Sequence, residues 1–243
     1  MKLNRTLIIA AVSCVLPLMA SATTYTVDAT YNIFASGLSS TATADPSGGG
    51  AGVLPLEINV TGSAWQFQYL SGTVSANVND SSLSGLDGNG GAGGPSDINS
   101  LGGISGLMED HDFPLVGVFL GPSGQPATAP ATIDFTTATG IGPNFLTLAP
   151  QIGQLFLIGD GTTSSDQLRT YYTPTGATEL YIGFADASGF TGPPGQYGDN
   201  AGSLNINVTA TPEPAPLALM AIGSTLIAAL RFRKKGGAST HCS

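Results

Sequence analysis

The chain lacks almost everything that would let it act by positive charge, covalent crosslinking or nucleophilic chemistry. Of its seven Lys and Arg residues, Lys2 and Arg5 open the chain and Arg231, Arg233, Lys234 and Lys235 lie near its end, so Arg169 is the one cation between. All sixteen carboxylates fall between Asp28 and Glu213, and that stretch carries a net charge of −15. A polyanion of this kind does not bind nucleic acid or an anionic membrane surface, although it attracts divalent cations. The two cysteines, Cys14 and Cys242, sit in terminal segments. The body therefore has no disulfide and depends on core burial, with or without a metal. Between the terminal segments the only histidine is His111, and no H-E-x-x-H, G-x-S-x-G or cysteine nucleophile occurs there. That inventory argues against an enzyme. The carboxylates of Glu109-Asp110-His111-Asp112 do not change this, because a glycosidase needs two carboxylates across a cleft and a contiguous run reads first as a solvated loop.

What is present begins with two terminal signals. Lys2 and Arg5 precede an apolar run from Leu7 to Met19, and Ala20-Ser21-Ala22 supplies an A-x-A cleavage pattern. This is a secretory signal peptide over 1–22, cut after Ala22. At the other end, Thr211-Pro212-Glu213-Pro214 is followed by an apolar run from Ala215 to Leu230 and then by Arg231-Phe232-Arg233-Lys234-Lys235. The run predicts a transmembrane helix over about 215–232, stopped by cytoplasmic basic residues. It is short against the ~20 residues that span a bilayer core. A buried core helix is the rival reading, disfavoured because the run is apolar all round and ends in charge. A polar tail, 236–243, closes the chain.

The stretch 211–235 resembles the PEP-CTERM sorting signal of Gram-negative bacteria. The resemblance rests on Pro212-Glu213-Pro214, the Leu/Ala/Ile run with Gly223, and the basic cluster with Arg231 and Arg233. It implies export across the inner membrane, transient anchorage there, processing by an exosortase, and release to the cell surface or the extracellular polysaccharide. The tail from Gly236 runs past the point where such signals usually stop.

The body, 23–210, is long enough for one domain with a sizeable core. Period-2 alternation recurs in it: Leu56, Ile58 and Val60; Trp65, Phe67 and Tyr69; Val74, Ala76 and Val78; Leu204, Ile206 and Val208. Each predicts a strand with one dry face. Leu115–Leu120 and Leu155–Ile158 are continuously apolar, the pattern of central strands buried on both sides. Tyr25 with Val27, Ile133 with Phe135, and Leu180, Ile182 and Phe184 mark further strands. With glycine and proline abundant between them, these predict an all-β fold, an antiparallel β-sandwich. The G-x-G-x-x-G at Gly88, Gly90 and Gly93 is followed by Gly94-Pro95 and no helical pattern. It therefore reads as a loop and not as a dinucleotide site.

One loop carries candidate chemistry. A strand ends at Asp186, and a Gly/Pro-rich loop then reaches Gln196-Tyr197-Gly198-Asp199-Asn200 before the next strand. Two carboxylates, an amide oxygen and free loop carbonyls are the hard oxygen donors that Ca²⁺ takes, six to eight at a time. Asx turns offer a plainer account of the same residues.

From Tyr25 to Val208 the body resembles the PA-IL-like galactophilic lectin domain. The carrying residues are Leu115–Leu120, Phe156-Leu157-Ile158-Gly159-Asp160-Gly161, Gly176–Gly183 and Tyr197-Gly198-Asp199-Asn200-Ala201-Gly202-Ser203. The resemblance implies a galactose-binding, jelly-roll-like sandwich in which sugar hydroxyls coordinate one Ca²⁺. Asp186, Asp199 and Asn200 would then offer side-chain oxygens and Gln196 its backbone carbonyl, with one more carbonyl from within 37–43. Asp199 stands where the family has Asn. Sugar contacts would fall to His111, Asp186 and Asp199. The expectation is a secreted protein that binds calcium and carbohydrate, with galactose-like glycans or extracellular polysaccharide as partners. The alternative is a structural protein of the exopolysaccharide or biofilm matrix that binds no sugar.

Overall fold

The computed structural model describes residues 20–77 and 94–212. The expected membrane span over 215–232, the sorting residues Glu213, Pro214, Arg231 and Arg233, the G-x-G-x-x-G loop and nearly all of the expected signal peptide lie outside the described residues. Among the described residues no helix is long and apolar enough to cross a membrane.

The described strands are, in chain order, β1 (Ser21–Asp28), β2 (Leu56–Asn59), β3 (Gly62–Ser75), β4 (Ser96–Ile98), β5 (Leu107–Glu109) and β6 (Leu115–Leu120). They continue as β7 (Thr147–Leu148), β8 (Phe156–Leu157), β9 (Thr170–Tyr172), β10 (Glu179–Phe184), β11 (Thr191–Gly192) and β12 (Ala201–Pro212). They form a five-stranded sheet ordered β1-β12-β3-β9-β7, a four-stranded sheet ordered β2-β10-β6-β8, and a small sheet ordered β11-β4-β5. The fold is all-β and sandwich-like, with mostly antiparallel pairing. The short pairs β4–β11 and β7–β9 run parallel.

The two larger sheets meet through aromatic rings. Phe67 and Tyr171 come from the five-stranded sheet, and Phe119 and Phe156 from the four-stranded one. Phe156 stands with its ring centroid 4.7 Å from Tyr171 and 5.4 Å from Phe119. The Tyr171 hydroxyl donates to the Leu157 carbonyl at 2.6 Å, which satisfies the polar tip of a buried ring. Arg169 is buried beside this layer, where its Nη1 donates to the Ile158 carbonyl at 2.8 Å and its guanidinium lies 5.3 Å from the centre of the Phe145 ring. The one cation of the body is thus a structural group inside it.

Every residue of β6 is buried, as its continuous apolar run requires. Gly117 at its centre is there for space: a Cβ would stand 2.4 Å from the Phe156 ring. Gly117→Ala should therefore destabilise the protein by about 1–3 kcal/mol through overpacking, read as a lowered urea midpoint with unchanged slope.

Three strand expectations need correction. The alternating runs at 65–69 and 74–78 belong in their described part to one strand, β3, which ends at Ser75. The apolar run 155–158 is not a central strand. Only Phe156 and Leu157 pair, at the end of the sheet order, and the aromatic layer accounts for their apolarity. Ile133 and Phe135 flank a single bridge, Met108 to Asp134, and form no strand. Ser21 and Ala22, on the N-terminal side of the expected cut, extend β1 opposite Ala210 and Thr209.

Candidate metal centre

β10 delivers Asp186 just past its last residue, and β12 begins at Ala201, directly after Asn200. The chain between them folds back on itself and onto the loop 45–50. The Gly195 N–H donates to the Asp186 carbonyl at 3.0 Å. Across the two loops, Gln196 N–H donates to the Gly48 carbonyl at 3.0 Å, Tyr197 N–H to Gly50 at 2.9 Å and Gly198 N–H to Gly49 at 3.1 Å. In return Ser47 N–H donates to the Pro194 carbonyl at 3.1 Å. The loops are stitched as closely as neighbouring strands, which explains the glycines: a Cβ on Gly50 would stand 2.5 Å from the Gly198 Cα.

Tyr197 pins this assembly from below. Its ring is fully buried, its hydroxyl donates to the Phe184 carbonyl at 2.9 Å, and the same oxygen accepts from the Asp186 N–H at 3.2 Å. Gln196 sits in the left-handed region with φ 78°, and its side chain turns back to donate to the Gly48 carbonyl at 2.9 Å. That engages its side-chain amide nitrogen and leaves its backbone carbonyl, the donor that the resemblance implies, among the oxygens of this loop.

Four side-chain oxygens in these loops are buried and accept no hydrogen bond: Asp45 Oδ1, Asp186 Oδ2, Asp199 Oδ1 and Asn200 Oδ1. Their neighbourhood is defined by several contacts. A Cβ built on Gly195 would lie 2.2 Å from Asp45 Oδ1. The Asn200 amide lies close enough to act on the Asp186 carboxyl, and so does the Asp199 charge. Asp45 and Asp186 both act on Tyr197. In three of these side chains the other polar atom is engaged: Asp45 Oδ2 accepts from Gly50 N–H at 3.0 Å, Asp186 Oδ1 accepts from Ala187 N–H at 2.8 Å, and Asn200 Nδ2 donates to the Ala29 carbonyl at 3.2 Å. Asp45, Asp186 and Asn200 are thus each held by one end with an oxygen left over.

Buried oxygens without donors are costly, at about 1–3 kcal/mol each for a neutral group and more for a charge. Burial pushes the Asp186 carboxyl up to about 7; the nearby Asn200 amide and the Ala187 hydrogen bond oppose that, and the charges of Asp199 and Asp112 add to it. Among the described residues no three His, Cys, Asp or Glu side chains close up into a metal site by themselves. A cation here would therefore draw on the Asn200 amide and loop carbonyls as well, a mixed oxygen set of the kind that suits Ca²⁺.

Of the sequence-predicted residues, Asp186, Asp199 and Asn200 come together and Gln196 lies in the same loop. The early loop hydrogen-bonded to this one is 45–50, which follows the expected 37–43, and it holds a carboxylate, Asp45, that the sequence reading did not single out. The available signal was an aspartate opening the glycine run 48–50, the same composition as the later loop.

His111 serves a different group. Its Nδ1 lies 2.8 Å from Glu109 Oε1, and the Glu109 side chain is fully buried. Burial pushes the Glu109 carboxyl up, against the pull of His111. The neighbouring Asp112 is close enough to act on Asp186, and Phe113 stacks on Phe184 with centroids 4.6 Å apart. This segment therefore packs beside the candidate centre, while the hydrogen bond of His111 is to Glu109.

Compared with family models, curated proteins and solved structures, the chain finds no match.

Proposed function

We propose that this protein is an exported, calcium-braced β-sandwich of the cell surface or extracellular polysaccharide matrix. The observation that carries the reading is the set of four buried, hydrogen-bond-deficient oxygens on two loops some 150 residues apart in sequence. A hard cation supplies what those oxygens lack and ties the two loops together. Asp186, Asp199 and Asn200 would hold it, with the Gln196 carbonyl as a further donor and Asp45 of the facing loop drawn in as the ion binds. The terminal signals supply the destination: signal-peptide export, a transient stay in the inner membrane, and exosortase processing near Pro212.

Burial also bears on what the ion does. An ion that gives coordination positions to sugar hydroxyls needs a side open to solvent, whereas all four of these oxygens are buried. That favours the brace over metal-bridged galactose. Calorimetry on the exported protein, stripped with EDTA and dialysed, tests both points. The expected result is binding of one Ca²⁺, with Mg²⁺ weaker because it demands compact octahedral geometry. Absence of calcium binding would remove the reading. Galactoside binding that appears with Ca²⁺ and disappears with EDTA would turn the brace into a sugar bridge.

A further inference from the structure

The outer face of the five-stranded sheet differs from the rest of this acidic molecule. On β1 the inward residues are Tyr25 and Val27, so Thr24 and Thr26 point out, and on β12 the outward residues alternate with Leu204, Ile206 and Val208. On β3 and β9, Trp65 and Tyr171 face inward opposite each other, which sends Gln66 and Tyr172 outward. The outward positions of these four strands are mostly Thr, Ser, Asn, Gln and Ala, with two large exposed side chains, Leu70 and Tyr172, and one charged residue, Asp28, at the last position of β1. Asp28 is turned aside into an Asx turn, where its Oδ1 accepts from the Thr30 N–H and hydroxyl at 2.9 and 2.7 Å.

The amides on this face are held in place by one another. Thr24 Oγ1 donates to Asn207 Oδ1 and Thr26 Oγ1 to Asn205 Oδ1, both at 2.8 Å. Asn205 Nδ2 donates to Ser71 Oγ at 3.1 Å, and Gln66 Nε2 to Thr170 Oγ1 at 3.0 Å. Each amide is oriented across strands and keeps hydrogen-bonding capacity toward solvent. Pre-oriented groups lose less entropy on binding than free ones. Tyr172 adds an aromatic surface, 48% exposed, two positions along β9 from Thr170.

We infer that this face is a metal-independent docking surface for a neutral polysaccharide chain. A fixed array of amide and hydroxyl groups matches a polymer of hydroxyls, and an exposed ring offers a platform for the apolar face of a sugar ring. Electrostatics selects the occupant. The only Lys or Arg among the described residues, Arg169, is buried, so the face has no cation for an acidic polymer. A second copy would bring two strongly negative bodies within about a Debye length, ~8 Å at physiological salt, of each other. A neutral chain meets neither obstacle.

Affinity electrophoresis of the exported protein in gels cast with hydroxyethylcellulose, laminarin or galactomannan tests this, run with Ca²⁺ and with EDTA while circular dichroism monitors the fold. At least one neutral polymer should retard the protein equally under both conditions, and polygalacturonate should not. Thr24→Lys with Asn207→Lys breaks the array, and Tyr172→Ala removes an exposed ring at little risk to folding. Each should weaken retardation at least tenfold while the dichroism spectrum is kept. Unretarded migration in all three neutral gels overturns the inference, as does equal retardation of both variants. Retardation lost with EDTA would place the glycan at the calcium loops instead. A dimer that the lysine variant dissolves in analytical centrifugation would make the face a self-interface and overturn the inference too.

Discussion

Asp186→Asn should raise the melting temperature of the metal-free protein at pH 8 and abolish the rise that Ca²⁺ produces in the wild type. The two halves have one cause. Asp186 is 1% exposed, and burial raises its carboxyl to about 7, so at pH 8 the folded metal-free protein carries a buried charge that it accommodates poorly. Asn keeps the oxygen that accepts from the Ala187 N–H and removes the charge. The gain is of the order of a few kcal/mol, which for a domain of this size is roughly 5–15 °C. In the wild type, Ca²⁺ at a hundred times its dissociation constant should add about 2.7 kcal/mol, or roughly 5–11 °C. The variant offers the ion a neutral amide in place of an anion, and that increment should vanish. A role limited to packing would give another pattern: Asp186→Asn would melt lower than the wild type and still respond to calcium. Differential scanning calorimetry of both proteins, with EDTA and with Ca²⁺, separates the two. Asp199→Asn should also lose the calcium response, since its charge lies beside Asp186, and Asp45→Asn, on the facing loop, should weaken it.

The strands that carry this centre were legible in the sequence. β10 and β12 alternate or run apolar over enough residues for periodicity to speak, and Asp186, Asp199 and Asn200 lie at their ends. β4, β9 and β11 have three residues or two and show no period at all. Their pairing is imposed by the fold: β11 runs beside β4 because the loop after Asp186 is folded back there. Asp45 was illegible for a related reason. Its glycine-rich neighbourhood was the one local hint, and what places it beside the later loop is a set of hydrogen bonds between segments far apart in sequence. The oriented outer face is of the same kind. Alternation predicts that Thr24, Thr26, Asn205 and Asn207 face outward, but only the register of β1 against β12 sets Thr24 opposite Asn207 and Thr26 opposite Asn205.

The metal-free protein should lose stability as pH rises from about 4 to 8, whereas the calcium-saturated protein should not. The folded state holds the Asp186 proton to about 7, against an ordinary value of 3.8. Between those values the unfolded chain binds fewer protons than the folded one, so stability falls with rising pH. The contribution is full below about 4 and lost as pH passes through 7. At about 1.4 kcal/mol per pH unit it comes to about 4 kcal/mol, or roughly 8–16 °C in Tm. Glu109, also raised by burial, adds to the fall. Asp134 acts oppositely: hydrogen bonds from Thr136 and Thr139 lower its carboxyl, so its share is lost as pH falls instead, and being at the surface it counts for little. With calcium the sign at Asp186 reverses, because the ion binds the ionised carboxylate and its affinity grows as the proton leaves. Melting curves recorded from pH 4 to 8.5 should therefore start together at the acid end, with or without calcium, and separate steadily as pH rises from there toward 8. Curves that stay parallel across the range would mean that the ion, if it binds at all, does not bind at Asp186.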